Sequence, residues 1–188
     1  DDNYFNDRYQ GIPIGGYTSI FEKMLDGIPV ELNTDFHLDR ETFLSKFDHV
    51  IFTGPIDSFF DYSLGHLEYR SLRFDHQLIN CSDFQGNAVI NHTEAQIPYT
   101  RTYEHKHFDM NFSADRSTVT YEYPDKWEPG KIEIYPVNTD ENQTLFSKYQ
   151  DMTKEFPNVT FGGRLGQYRY FDMHQVIGAS LEKVKSLA

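Results

Sequence analysis

Phe161-Gly162-Gly163-Arg164-Leu165-Gly166-Gln167-Tyr168-Arg169-Tyr170-Phe171-Asp172-Met173 is the stretch on which the reading of this chain turns. Just before it, Asn158 to Phe161 reads as a short strand. Phe171 to Val184 carries apolar residues at helical spacing. The stretch is therefore a strand, a Gly162-Gly163 turn and the start of a helix. Adjacent glycines let the backbone approach another group closely. A helix N-terminus offers unpaired N–H donors and partial positive charge, which suit an anion or a polarised ring carbonyl. Arg164 and Arg169 add fixed charge and planar donors. A glycine turn followed by two solvent arginines is the competing reading, and the motif alone does not separate them.

Working outward, Asp140 to Phe156 reads as a helix with Leu145, Phe146, Tyr149 and Met152 on one face. Asp48 to Phe52 is a short apolar strand ending at Thr53-Gly54-Pro55, the pattern of a buried parallel strand. Ile56 to Tyr62 makes one or two helical turns closed by Gly65. Between these pieces the composition changes. Leu67 to Phe74, Gly86 to Asn91, Tyr99 to Phe108, Ser117 to Tyr123 and Lys131 to Val137 read as antiparallel strands. Near the start, Tyr17 to Leu25 is a helix with Gly27 at its C-cap, and Pro29 to Leu32 a short strand. The fold class is α+β: an antiparallel sheet, 66–137, inserted between the α/β pieces 1–65 and 138–188, with flanking helices.

Composition narrows the function. Aromatic residues make up 16% of the chain, which marks a sequence that buries a core. A net charge of -12 argues against nucleic acid and against anionic membrane surfaces. Cys81 is the single cysteine, so no internal disulfide forms, and a reducing, cytoplasmic compartment fits. No apolar run reaches the roughly 18 residues of a membrane helix. The chain opens on Asp1 without Met or a leader-like segment, which is expected of a processed or truncated product.

The stretch from Phe161 to Met173 resembles the C-terminal flavin-binding signature of the UDP-galactopyranose mutases. Other segments resemble that family in the same order: Asp2 to Phe5 with Tyr9 to Pro13, Val50 to Asp57, Asp83 to Gly86, Ile97 to Arg101, and His105 to Phe108. The resemblance implies a flavin-dependent isomerase. Such an enzyme interconverts UDP-galactopyranose and UDP-galactofuranose through a flavin N5–sugar adduct, for cell-surface galactofuranose glycans. It implies FAD, reduced for activity, and a homodimeric full-length protein. By position, Arg101 resembles the arginine on the UDP pyrophosphate, and Tyr135 and Tyr170 the tyrosines near pyrophosphate and sugar. Tyr4 resembles a nucleotide contact, Arg70 another active-site arginine, and Asn91 and Glu122 polar positions near the galactose. Gly163, Arg164, Tyr170, Asp172 and Met173 match the flavin side. The catalytic set so implied is Arg101, Tyr135, Tyr170 and Glu122.

Two family features are missing. No Gly-x-Gly-x-x-Gly occurs in the chain, and the only tryptophan, Trp127, lies in a turn-like segment rather than in a helix that could stack a uridine. The chain alone is therefore expected to bind FAD weakly or not at all and to be inactive. Two other readings compete. One is a non-catalytic sugar- or nucleotide-binding module built on the tyrosine-rich sheet. The other is a metalloenzyme using His105 and His107, which lie two apart on an expected strand with Glu104 and Asp109 nearby. The resemblance assigns no metal. Asn-x-Ser/Thr sequons at Asn80, Asn91, Asn111, Asn142 and Asn158 read as coincidental, since nothing indicates secretion.

Overall fold

The computed structural model describes residues 6–109 and 114–187. In chain order its helices and strands are α1 (Thr18–Met24), α2 (Arg40–Lys46), β1 (Val50–Phe52), α3 (Ile56–Phe59), β2 (Tyr69–Ile79), β3 (Val89–Asn91), β4 (Arg101–Glu104), β5 (Ser117–Lys126), β6 (Tyr135–Pro136), α4 (Asp140–Met152), β7 (Val159–Phe161), α5 (Gly163–Gly166) and α6 (Met173–Lys185). They belong to two compact units, Thr34–Leu72 with Pro124–Ala188, and Asp1–Asn33 with Arg73–Tyr123. Strands β2 and β5 begin in one unit and end in the other.

The unit built from Thr34–Leu72 and Pro124–Ala188 has an aromatic core. Strands β1 and β7 pair in parallel, Val50 opposite Val159 and Phe52 opposite Phe161. This is the parallel pairing that the apolar run before Thr53-Gly54-Pro55 implies. Phe59 sits at the centre, its ring 4.8 Å from Phe161, 5.1 Å from Phe156 and 5.2 Å from Phe52. Edge-to-face pairs of this kind add about 0.5–1.5 kcal/mol each beyond area burial. Helix α4 buries Tyr149, whose hydroxyl donates to Gly65 O at 2.6 Å and accepts from Leu64 N at 3.1 Å. Asp57 is buried beside it and accepts from Leu67 N at 2.9 Å and Ser58 N at 3.1 Å. Burial pushes its carboxyl above the usual range, and those N–H donors pull the other way. One tyrosine and one aspartate thus satisfy a loop whose backbone would otherwise be buried unpaired.

The other unit is sheet-based and its interior is polar. Strands β3, β4 and β5 are antiparallel neighbours, followed by β2. Val119 is fully buried, in company with Thr102, Glu104, Ser117, Thr120 and Glu122. Glu104 holds this interior together. Its carboxylate accepts from Phe84 N at 3.0 Å, Gln85 N at 2.8 Å and Ser117 Oγ at 2.5 Å, with Lys106 Nζ 3.5 Å away. Burial acts to raise its pKa. The hydroxyl and N–H donors and the ammonium outweigh that and hold it at about 2.

Several expectations are corrected. The run Tyr99 to Phe108 is a strand only from Arg101 to Glu104. His105–Phe108 is a 3-10 turn, because the chain bends where Glu104 turns inward to collect the backbone donors. His105 and His107 therefore do not share a strand face. Pro29 to Leu32 forms no strand and is exposed. The run Lys131 to Val137 pairs only at Tyr135–Pro136. Upstream, Trp127 Nε1 donates to Lys131 O at 3.2 Å and Lys131 Nζ to Lys126 O at 2.9 Å, which keeps that segment a turn. Helix α1 forms as read, but Tyr17, Ile20, Phe21, Met24 and Leu25 are all exposed. Helix α2 and the 3-10 turn Phe36–Leu38 were not expected; Phe36 packs on Phe43, Phe52 and Phe59.

Candidate functional site

The stretch after β7 folds as a tight corner. Gly163 has φ 71°, which disfavours any side chain, and α5 follows at once. A Cβ on Gly166 would lie 3.1 Å from Phe52 O, so the helix sits against β1 with little room for a side chain there. Tyr168, also at positive φ and buried, donates its hydroxyl to Glu68 O at 2.5 Å and accepts from Val137 N at 3.2 Å. That pins the corner to the strand ends that carry Arg70 and Tyr135.

Four residues expected in the site gather here. Arg70 and Tyr135 pair across β2 and β6, and Tyr135 stacks near Tyr170 with centroids 5.5 Å apart. The Arg164 guanidinium lies over both rings, 5.5 Å from Tyr135 and 4.8 Å from Tyr170, and Nη2 donates to Ile134 O at 3.0 Å. Arg70, Tyr135 and Tyr170 line a cleft of about 450 Å³ with Pro136 to Thr139. The Tyr170 hydroxyl donates to Asp172 Oδ1 at 2.9 Å, and that carboxylate, ahead of burial, raises the phenol's pKa. Asp172 is also the N-cap of α6, where Gln175 Oε1 accepts from its N–H at 2.8 Å. Met173 is the first residue of α6 and is exposed.

A flavin fits this unit. Nε of Arg164 is buried with no hydrogen-bond partner, a cationic N–H left over beside two aromatic rings. A planar heterocycle with carbonyl or ring-nitrogen acceptors is the chemistry that such a donor completes. Gly162 and Gly163, with Thr53 and α6, also border a cleft of about 590 Å³.

The sheet unit carries a second group. Asn91, Arg101 and Glu122 are cross-strand neighbours on one face. Nε of Arg101 donates to Asn91 Oδ1 at 2.7 Å and Nη1 to the Tyr103 hydroxyl at 3.2 Å. That hydroxyl donates to Glu122 Oε2, while Thr100 Oγ1 donates to Oε1 at 3.0 Å. The Glu122 carboxylate stays 3.8 Å from Nη1 and its side chain is 8% exposed, against 40% for Arg101. A half-open guanidinium is thus held along its edges by Asn91 and Tyr103, with the Glu122 carboxylate within ion-pair distance. Burial, then the bond to Glu122, raises the Tyr103 pKa, so the phenol stays protonated.

Tyr103 and Thr100 were missed, although Arg101-x-Tyr103 on a strand puts both side chains on one face. Tyr4 lies outside the described residues. The histidines separate. His105 Nε2 and His76 Nδ1 share Thr120 Oγ1 at 2.6 and 2.7 Å, whereas His107 Nε2 lies 3.3 Å from both Asp83 and Glu104. Asp83, Glu104 and His107 bring ligand-type atoms within 4.8 Å of one another. Lys106 Nζ, 3.7 Å from Asp83 and 3.5 Å from Glu104, offsets part of their charge. Asn142 is buried and donates to Val137 O at 3.0 Å, which leaves that sequon no room for a glycan.

The family model described as UDP-galactopyranose mutase matches residues 1–170. The chain is 39% identical over 184 residues to a probable UDP-galactopyranose mutase of Klebsiella pneumoniae, covering 97% of this chain and 47% of that protein. It is 36% identical over 187 residues to the dTDP-fucopyranose mutase of Escherichia coli, covering 97% and 50%. The structure matches a crystal structure of reduced UDP-galactopyranose mutase with a TM-score of 0.57, over 76% of this chain and 42% of that one. At 14% identity that likeness concerns the fold alone. The chain spans about half the length of the curated relatives it matches.

Proposed function

The chain belongs to the UDP-galactopyranose mutase family, and from that membership we propose that it is part of a flavin-dependent isomerase that interconverts the pyranose and furanose forms of a nucleotide-linked sugar. UDP-galactose is the first substrate to test, and the product would supply cell-surface galactofuranose glycans. The observation that carries the reading is the Arg101 group. A half-open guanidinium held by Asn91 and Tyr103 suits an anion that arrives and leaves. A diphosphate needs such a partner, since negative charge grows on it as it parts from the anomeric carbon.

In this reading the sheet, residues 66–137, binds the nucleotide sugar, and the flanking segments close the flavin side. Arg70, Tyr135 and Tyr170 offer one cation and two phenols to the diphosphate and sugar. Arg164 and Gly163 hold the ring system of reduced FAD, which when bound supplies the nucleophile for the anomeric carbon. The protein's own part is to orient, to exclude water and to balance charge. Glu122 is proposed to bear on the sugar side through Tyr103 and Arg101, since hydroxyl donors hold both carboxylate oxygens and its side chain is 8% exposed. Tyr4 is proposed as a nucleotide contact and Asp172 with Met173 as the flavin-side edge of α6. The full-length protein is proposed to be a cytoplasmic homodimer, as the family resemblance implies, and the single cysteine of this chain fits a reducing compartment.

A second substrate has a specific observation behind it. The Escherichia coli relative is named a dTDP-fucopyranose mutase and aligns over 97% of this chain. Both names describe the same ring interconversion on a nucleoside diphosphate sugar. Turnover of UDP-galactofuranose and dTDP-fucofuranose by the reduced full-length protein, compared side by side, tests the reading. Conversion of one and not the other assigns the sugar. Conversion of neither by flavin-loaded protein overturns the proposal.

A further inference from the structure

The two-residue strand β6 pairs Tyr135 with Arg70 and Pro136 with Tyr69 of β2. So short a ladder specifies its own register weakly. A slip of one residue would turn Tyr135 from the cleft it lines with Arg70 to the opposite face. Side chains from other segments hold the ends of this strand.

Beyond Pro136, the backbone groups of Glu68 and Val137 are all taken. Val137 N donates to Glu68 O at 3.1 Å, which closes the pairing of the two segments. The Tyr168 hydroxyl, reaching in from the corner after α5, donates to the same Glu68 O at 2.5 Å and accepts from Val137 N at 3.2 Å. Asn142, in the first turn of α4, covers what remains. Its Nδ2 donates to Val137 O at 3.0 Å and its Oδ1 accepts from Glu68 N at 3.4 Å. Nδ2 also donates to Glu68 Oε2 at 3.2 Å. At the other end, Ile134 N donates to Arg70 O at 3.0 Å and Arg164 Nη2 to Ile134 O at 3.0 Å.

Asn142 and Tyr168 are both buried. Tyr168 holds φ 43°, a conformation that bulky residues rarely adopt and that persists where surrounding contacts enforce it. Burial pushes its phenol up to about 12, which keeps the proton that Glu68 O receives.

We propose that Asn142 and Tyr168 are positioning residues for the cleft: from α4 and from the corner after α5 they fix the register of β6 on β2, and so set Tyr135 beside Arg70 for a nucleotide sugar. The inference rests on the reading of this cleft as part of the nucleotide-sugar site. Neither residue acts on the ligand itself; each acts through Tyr135.

The experiment uses the full-length, flavin-loaded protein with UDP as the probe. Affinity is measured by calorimetry and amide hydrogen exchange by mass spectrometry, each variant being checked for native fold by circular dichroism. Tyr168→Phe removes the hydroxyl and keeps the ring. Asn142→Leu removes the amide from a different element, and carries the test where Tyr168→Phe does not fold. Each should speed exchange at residues 134–137 and weaken UDP binding about tenfold, the scale of a lost hydrogen-bond partner. In a Tyr135→Ala background each should add less than about twofold, because the residue it positions is gone. A merely structural role would leave exchange at 134–137 no faster than elsewhere, or add its full loss in the Tyr135→Ala background. Either result, or UDP affinity unchanged by both variants while Tyr135→Ala weakens it, overturns the positioning role and leaves the reading of the cleft in place. UDP affinity unchanged by both Tyr135→Ala and Arg70→Ala overturns that reading and this inference with it.

Discussion

At the scale of single residues, two side chains carry the heaviest predictions. Arg101→Ala in the full-length protein should weaken UDP binding by about 2–5 kcal/mol, since a diphosphate would lose its buried charge partner. Calorimetric titration with UDP checks it, and an unchanged affinity removes Arg101 from the site. Glu104 is a stability residue. Its folded pKa of about 2 lies below the ordinary carboxylate value of 4.5, so the folded state binds its proton less readily than the unfolded chain. Its stabilisation is complete above about pH 4.5 and is lost as the pH falls toward 2. Lys106, His107 and Asp83 face it, and the acid loss should include their partnership. About 2 kcal/mol of stability should disappear in that window. Denaturant melts from pH 7 to pH 2 measure it. Glu104→Gln should flatten the dependence, and a profile identical to wild type would contradict the assignment. Glu104→Ala should cost about 3–5 kcal/mol at neutral pH, because Lys106 and three donors lose their acceptor.

At the scale of elements, the corner after β7 is where sequence and structure agree best. Gly162-Gly163 reads as a turn from composition, and the left-handed φ of Gly163 is its physical reason. Gly163→Ala should lower stability by about 1–2 kcal/mol through backbone strain, and Gly166→Ala by about 1–3 kcal/mol through its contact with Phe52 O. Thermal unfolding of the flavin-loaded protein reads both, and a melting temperature unchanged by either would show that the corner tolerates a Cβ. That β1 is a parallel strand was also legible from its apolar run ended by Thr53-Gly54-Pro55, whereas the identity of its partner, β7, was not. The end of β4 was not. His105 and His107 alternate in sequence as strand residues do, and the carboxylate that bends the chain, Glu104, takes its donors from Phe84 and Gln85, some 20 residues away. No local pattern announces such a contact.

At the scale of the whole molecule, Arg101, Asn91 and Glu122 assemble on one sheet face, and Arg70, Tyr135, Arg164 and Tyr170 around one cleft. The first group was readable only through the family resemblance, since alternation sets a strand's faces but not its register. The second was readable only through the family resemblance, since nothing in the spacing of Arg70, Tyr135 and Tyr170 predicts a shared cleft. Tyr103 escaped that route. The absence of a Gly-x-Gly-x-x-Gly in this sequence leads to a further expectation: residues 1–188 alone should bind FAD weakly, and an absorbance titration showing stoichiometric flavin would contradict it. The most direct test of the central claim is turnover by the full-length, flavin-loaded protein under reducing conditions, followed by chromatography of the nucleotide sugars. The account predicts interconversion of furanose and pyranose forms in wild type, and its loss in Arg101→Ala with flavin content unchanged. Fully reduced, flavin-loaded wild-type protein that converts neither UDP-galactofuranose nor dTDP-fucofuranose would contradict it.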